Sequence, residues 1–160
     1  MALVDLDQGL RLRAATMDDV GAIGALVRRA QAHDGVPQAL SDDEVAEDLS
    51  AAFVDLDLDT RVVERGGEVV GWSLVWHLEG RERLDRVDLF GEVDPQHRGA
   101  EVGRALLGWA ADRATERLRA GDHDLPRFVR LDTFDWLEDR QRLFRRFGFE
   151  AVRWSEMLVR

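Results

Sequence analysis

Val93 to Leu107 reads V-D-P-Q-H-R-G-A-E-V-G-R-A-L-L, and the rest of the chain is best understood from this run. A strand-like stretch, Arg86 to Val93, hands the chain through Pro95 to Gly99 and Gly103. A long amphipathic helix then carries Val102, Ala105, Leu106, Trp109, Ala110, Ala114 and Leu118. The first amides of a helix have no internal acceptor and sit at the positive end of its dipole, so such a junction can hold a phosphate with main chain alone. Glycine lets the backbone come close and take positive φ. Arg98 and Arg104 flank the turn with forked donors suited to phosphate. Two glycines and an arginine before a helix also occur in ordinary strand-to-helix turns, so the surroundings decide.

Outward from this run, Leu10 to Ala14 alternates apolar and polar residues as a first strand. Thr16 and Asp19 then match a capping box for a helix running to about Ala32. His33-Asp34-Gly35-Val36-Pro37 breaks it, and Ser41 with Glu44 caps a second helix bearing Val45, Leu49 and Phe53. From Thr60 the period becomes two: Arg61 to Glu64, a tight turn at Arg65-Gly66-Gly67-Glu68, and Val69 to Trp76 form an antiparallel hairpin. Beyond the long helix, Phe128 to Asp132 reads as a strand, Trp136 to Phe147 as a helix and Phe149 to Val159 as a closing strand. The order β-α-α-β-β-β-α-β-α-β predicts one α/β (α+β) domain over 1–160.

Bulk composition narrows the function classes. A chain of 160 residues with 45% apolar content supports one core. Cysteine is absent, which excludes disulfides, thiolate metal sites and a catalytic thiol, and no metal is expected. The 32 acidic residues outnumber 22 basic ones for a net charge of −10, which disfavours a nucleic-acid partner. The opening MALVDLDQGLRLR is neither an export signal nor a membrane anchor, so a soluble cytoplasmic protein is expected. All basic residues of the Lys and Arg class are Arg, and Tyr and Asn are absent.

The Val93–Leu107 run resembles the acetyl-CoA signature of the GNAT superfamily of acyl-CoA N-acyltransferases: a strand ending V-x-P, then R-G-x-G-x-G-x-x-L-L. Leu143-Phe144-Arg145-Arg146-Phe147-Gly148-Phe149-Glu150 resembles the family's second landmark, a helix closing in an L-Y-x-x-x-G-F-E-like run. The order of elements is also the family's, from about Leu10 to Arg160. The resemblance implies a three-layer fold, with a mixed, mostly antiparallel sheet of about six to seven strands flanked by four helices, in which the strand ending near Val93 splays from its neighbour and offers free backbone to the pantetheine arm. By the same resemblance, Val93, Arg98, Gly99, Ala100, Glu101, Val102, Gly103 and Arg104 line acetyl-CoA, the cosubstrate, with Glu92 beside them. The implied chemistry is direct attack of an amine on the thioester, with a base taking the ammonium proton and an acid protonating the thiolate. Glu92 and Asp88, on one face of their strand by alternation, are the candidate bases.

Three positions depart from the family pattern. Glu101 replaces the middle glycine, Phe144 the usual acid tyrosine, and Leu137 an asparagine common in the last helix. Phe144 has no proton to give. Glu101 can turn outward and leave the amides free, or fold into the phosphate's place. The expected function is therefore N-acetyl transfer from acetyl-CoA to a primary amine of a small molecule or peptide. The alternatives are a silent acyl-CoA-binding or regulatory domain, such as one half of a tandem acetyltransferase, and a ligand-free interaction module. A homodimer or a tandem partner domain fits these readings. Among other candidates, His77 is expected at the surface and His97 at a variable loop position. Tryptophans 72, 76, 109, 136 and 154 are expected mainly in the core, with Trp76 and Trp136 the better pocket candidates. The run Asp55 to Asp59 reads either as a lure for a cationic amine or as a solvated rim.

Overall fold

The computed structural model describes residues 4–6, 9–37, 40–79, 83–99, 101–121 and 124–156. Its strands are β1 (Val4–Leu6), β2 (Leu10–Arg13), β3 (Thr60–Arg65), β4 (Glu68–Trp76), β5 (Asp85–Val93) and β6 (Arg127–Arg130). The helices are α1 (Val20–Asp34), α2 (Asp42–Leu49), the single turn α3 (Leu56–Asp59), α4 (Val102–Ala120) and α5 (Glu138–Arg146). One six-stranded sheet runs β1-β2-β3-β4-β5-β6. Every pairing is antiparallel except β5 with β6, which is parallel. This is the mixed, mostly antiparallel sheet flanked by helices that the resemblance implies.

Local chemistry explains most boundaries. The Gly66–Gly67 turn holds φ 58 and 84, the paired left-handed conformation that matches hairpin twist and that glycine enters without strain. Ser41 and Glu44 form the full capping box of α2: the Ser41 amide donates to Glu44 Oε2 at 2.8 Å and the Glu44 amide to Ser41 Oγ at 3.2 Å. Gly35 (φ 68) closes α1, with Val36 N–H donating to Gln31 O at 2.9 Å. This Schellman closure fixes Asp34 as the last helical residue. Gly148 (φ 83) closes α5 in the same way, through Phe149 N–H to Phe144 O at 3.1 Å.

The sheet buries both faces. On one, α1 and α2 bring Ile23, Leu26, Val45 and Leu49 against Val62, Trp72 and Leu74. On the other, α4 packs Leu107, Ala110, Ala114 and Leu118 against Val75, Val87 and Leu89, with Leu143 and Phe144 of α5 and Phe147 just past its end against the same cluster. Val102 and Leu106, at the head of α4, meet Val63, Val70 and partly buried Val93. Burying such a side chain contributes about 1.5–3 kcal/mol.

Several expectations need correction. The closing strand from Phe149 to Val159 does not form over 149–156, and residues 157–160 lie outside the described residues. Phe149 joins the α4–α5 cluster, but Val152 and Trp154 are 88% and 75% exposed. Alternation alone makes no strand without a ladder to join, and Trp154 is not core. His77 is buried, within 2.7 Å of Asp85 through Nε2, while Arg117 Nε donates to its Nδ1 at 3.3 Å. Asp59 is no rim residue: it is 1% exposed and accepts from Arg113 Nε at 2.8 Å and from the Asp55 amide at 3.0 Å. Phe53 lies beyond the end of α2, stacking edge-on against Trp76 at 4.6 Å.

Candidate active site

Two local geometries meet at the end of β5. The first is a split in its pairing. Residues Val93 back to Asp88 pair with Gly71 to Trp76 of β4, whereas β6 pairs only with Asp85 to Asp88. The two registers overlap at Asp88 alone, so among the described residues Leu89 to Val93 have no strand partner on the β6 side. Peptide groups on such an edge are free to pair with an extended ligand.

The second geometry is the head of α4. The Ala105 amide is the donor to Glu101 O, at 2.9 Å, so the amides of Val102, Gly103 and Arg104 are the first-turn donors, and no partner for them appears among the described residues. Glu101 gives them no side-chain cap. It is the single non-glycine residue with positive φ among the described residues, at φ 69. Its carboxylate turns outward to Arg104 Nη1 at 3.1 Å, with both side chains more than half exposed. Of the two conformations open to Glu101, the structure takes the one that leaves the amides clear. Gly99 is also left-handed, at φ 79, and nothing lies within 4 Å of where a Cβ would project. A Cβ on Gly103 would meet Leu143 of α5 at 3.3 Å, so this glycine also lets α5 pack close. Ala100 lies outside the described residues.

The model of the acetyltransferase (GNAT) domain matches residues 57–151, more than half of the chain and all of this region. The chain belongs to the GNAT acetyltransferase family. No curated protein matches the sequence. The fold is similar to a GCN5-related N-acetyltransferase from Sphaerobacter thermophilus, at 25% identity and TM-score 0.77, with 92% of this chain aligned. The chain spans only 45% of the length of that protein. It is also similar to yncA from Salmonella typhimurium, solved with its cofactor acetyl-CoA (22% identity, TM-score 0.70, covering 91% of this chain and 82% of that one). A predicted acetyltransferase from Clostridium acetobutylicum with acetyl-CoA gives 14% identity and TM-score 0.69, covering 93% and 96%.

Within this GNAT domain the residues singled out from sequence separate into two groups. Val93, Arg98, Gly99, Glu101, Val102, Gly103 and Arg104 gather at the loop and helix head. Glu92 lies beside them, on the unpaired part of β5. Asp88 lies farther back, at the point where both neighbouring strands pair, and its carboxylate meets Arg86 Nε at 3.1 Å and Arg130 Nε at 2.8 Å. The structure thus brings Glu92, and not Asp88, to the open edge.

Sequence reasoning missed the charge cluster around Glu92. Arg140 of α5 donates to Glu92 with both terminal nitrogens, at 3.1 and 2.5 Å. Arg98 grips Asp34 of α1 in the same forked way, at 2.6 and 2.9 Å, and its Nε donates to Val93 O at 3.3 Å. Arg140 Nη2 lies 3.5 Å from Asp34 Oδ2, linking the two pairs. Trp136 Nε1 donates to Asp34 O at 2.8 Å, and its ring stacks on Phe134. Two cations and two anions make the cluster neutral. Burial pushes the Glu92 carboxyl above its usual range, more strongly than Arg140 pulls it down. For Asp34 burial also pushes upward, but the hydrogen bonds from Arg98 and His33 outweigh it and hold this carboxyl below the usual range.

An open cleft of about 530 Å³ lies elsewhere, lined by Phe53, Val54, Asp55, Leu78, Glu79 and Arg117. It sits past Trp76, at the opposite end of β4 from the Gly71–Val93 pair. Among the described residues no helix is long and apolar enough to cross a membrane.

Proposed function

We propose that this domain binds acetyl-CoA at the head of α4 and along the free edge of β5, and passes its acetyl group to a primary amine. The observation that carries the reading is the adjacency of three features. Among the described residues these are first-turn amides without a partner at Val102 to Arg104, an edge without a strand partner from Leu89 to Val93, and a partly buried carboxylate, Glu92, on that edge. The amides and the arginines fit a diphosphate, the edge fits the amide-bearing arm of the cosubstrate, and the carboxylate fits a proton acceptor.

Acetyl-CoA supplies the activated acyl group as a thioester. Glu92, directly or through water, takes the proton released when an amine nitrogen bonds to the acyl carbon and the carbon–sulfur bond breaks. Its raised proton affinity brings it nearer to neutral pH, where a general base works best. Phe144 has no proton for the departing thiolate, so that proton comes from water or from another group. The acceptor would be a small-molecule or peptide amine.

A second reading, a CoA-binding domain without chemistry of its own, draws support from Glu101 in the diphosphate loop, from Phe144, and from the greater length of the Sphaerobacter thermophilus protein. Here a tandem partner domain or a second copy would act. Free-thiol release from acetyl-CoA across a panel of primary amines separates the two. Amine-dependent release abolished by Glu92→Gln supports the enzyme; protection from thermal unfolding by acetyl-CoA without release supports the silent domain.

A further inference from the structure

Arg140 occupies an unusual route through the molecule. It belongs to α5, which packs with α4 on one side of the sheet through Leu143 and Phe144. Val87, Leu89 and Val93 of β5 face that same side. Alternation turns Phe90 and Glu92 to the opposite side, where Phe90 meets Trp76 and α1 ends in Asp34. To reach Glu92, the Arg140 side chain therefore passes through the plane of the sheet. It does so where β6 has left β5.

We propose that Arg140 is a positioning residue for Glu92: reaching through the gap between β5 and β6, it holds the carboxylate in one orientation and in its ionised form. This rests on the reading that Glu92 accepts the amine's proton. A partly buried carboxylate without a cation at this place would hold its proton to higher pH and be a weaker base. The two layers are already tied without this contact, through Arg98 and Trp136 to Asp34, so a purely structural brace would be redundant here. Among the described residues, the charged groups facing Glu92 are Arg140 from α5, Arg98 from the loop and Asp34 from α1, while its cross-strand neighbour on β4 is the uncharged Trp72. Asp34 and Arg98 largely neutralise each other, which leaves Arg140 to balance Glu92.

The sign follows from the chemistry. The base must be ionised, so kcat/KM rises with pH through the Glu92 titration. Removing Arg140 raises that midpoint and moves the acid limb upward. The experiment compares wild type, Arg140→Gln and Arg140→Lys in two readouts. One is the 13C carboxyl titration of Glu92, assigned by its loss in Glu92→Gln. The other is the pH profile of acetyl transfer to the best amine. In Arg140→Gln both should move up by about one to two pH units, and Arg140→Lys should recover part of the shift. A Glu92 midpoint unmoved in both variants would overturn the assignment, as would transfer whose acid limb stays in place. Failure of the wild type to transfer acetyl to any amine at any pH would remove the acetyl-transfer reading and this assignment together. Transfer with an unmoved limb removes this assignment alone.

Discussion

Glu101→Gly tests the proposed diphosphate loop at its least favourable residue. Glu101 holds φ 69, a conformation costing a non-glycine residue about 1–2 kcal/mol. Glycine relieves that strain, but gives back about 0.4–1 kcal/mol through the freer unfolded chain and about 0.3–1 kcal/mol through the lost anion at the helix head. The ion pair with Arg104, exposed on both sides, adds little. These terms nearly cancel, so stability in urea should change by less than about 1 kcal/mol. Affinity for acetyl-CoA should change far more. A carboxylate about 6 Å from a diphosphate of charge about −2 is repelled by about 1.4 kcal/mol even at the dielectric of water, a factor of about ten. Calorimetry at low salt should therefore give Glu101→Gly about tenfold tighter binding than wild type, with the advantage shrinking as ionic strength rises. Glu101→Gln keeps the backbone strain and removes the charge, so it should recover most of the gain. Equal or weaker binding in both variants would refute the reasoning, because the Glu101 carboxylate would then not face the ligand's charge.

Three further outcomes follow from the ion pairs. Asp59→Ala leaves Arg113 without its buried partner and should cost about 3 kcal/mol, read as a lower urea midpoint; a loss below about 1 kcal/mol would contradict the burial of this pair. Asp19, Asp34 and Asp94 are all held below the usual carboxylate range: burial opposes this in each, but hydrogen bonds from Arg13, Arg98 and Arg29 respectively outweigh it. Their stabilisation is therefore intact above about pH 4 and lost as pH falls below it, and a melting temperature unchanged between pH 5 and pH 3 would contradict this. Asp34→Asn frees Arg98 from its fork, so acetyl-CoA should bind more tightly at low salt, by about threefold to tenfold. Weaker binding in calorimetry would mean that Arg98 serves the site through Asp34 instead.

What was legible in the sequence is what short-range chemistry dictates. The hairpin at Gly66–Gly67, the capping box at Ser41, the glycine loop and the long apolar stripe of α4 each fit within a window of twenty residues, and each formed. The closing strand failed because alternation from Phe149 onward describes a face, while a strand also needs a partner edge, and β6 gives none over the described residues. His77 and Asp59 were misread because burial of a polar group depends on its partner. Asp85 meets His77 from the next strand, and the other partners, Arg117 of His77 and Arg113 of Asp59, come from α4, 40 and 54 residues away along the chain. The cluster at Glu92 was invisible for the same reason: Arg140 and Asp34 are separated by 106 positions, and nothing local marks Arg140 among its neighbouring arginines. Glu101 was legible as a departure from the family pattern, but its outward turn was not, since both rotamers satisfy the helix dipole.

The account depends above all on the open amides at the head of α4 holding an anionic thioester cosubstrate. Amide-resolved NMR during a titration with acetyl-CoA tests this directly. The account predicts saturable shifts centred on Glu101 to Arg104 and along Leu89 to Val93, weakening as salt increases. Unmoved amides in those two segments at millimolar acetyl-CoA would contradict it.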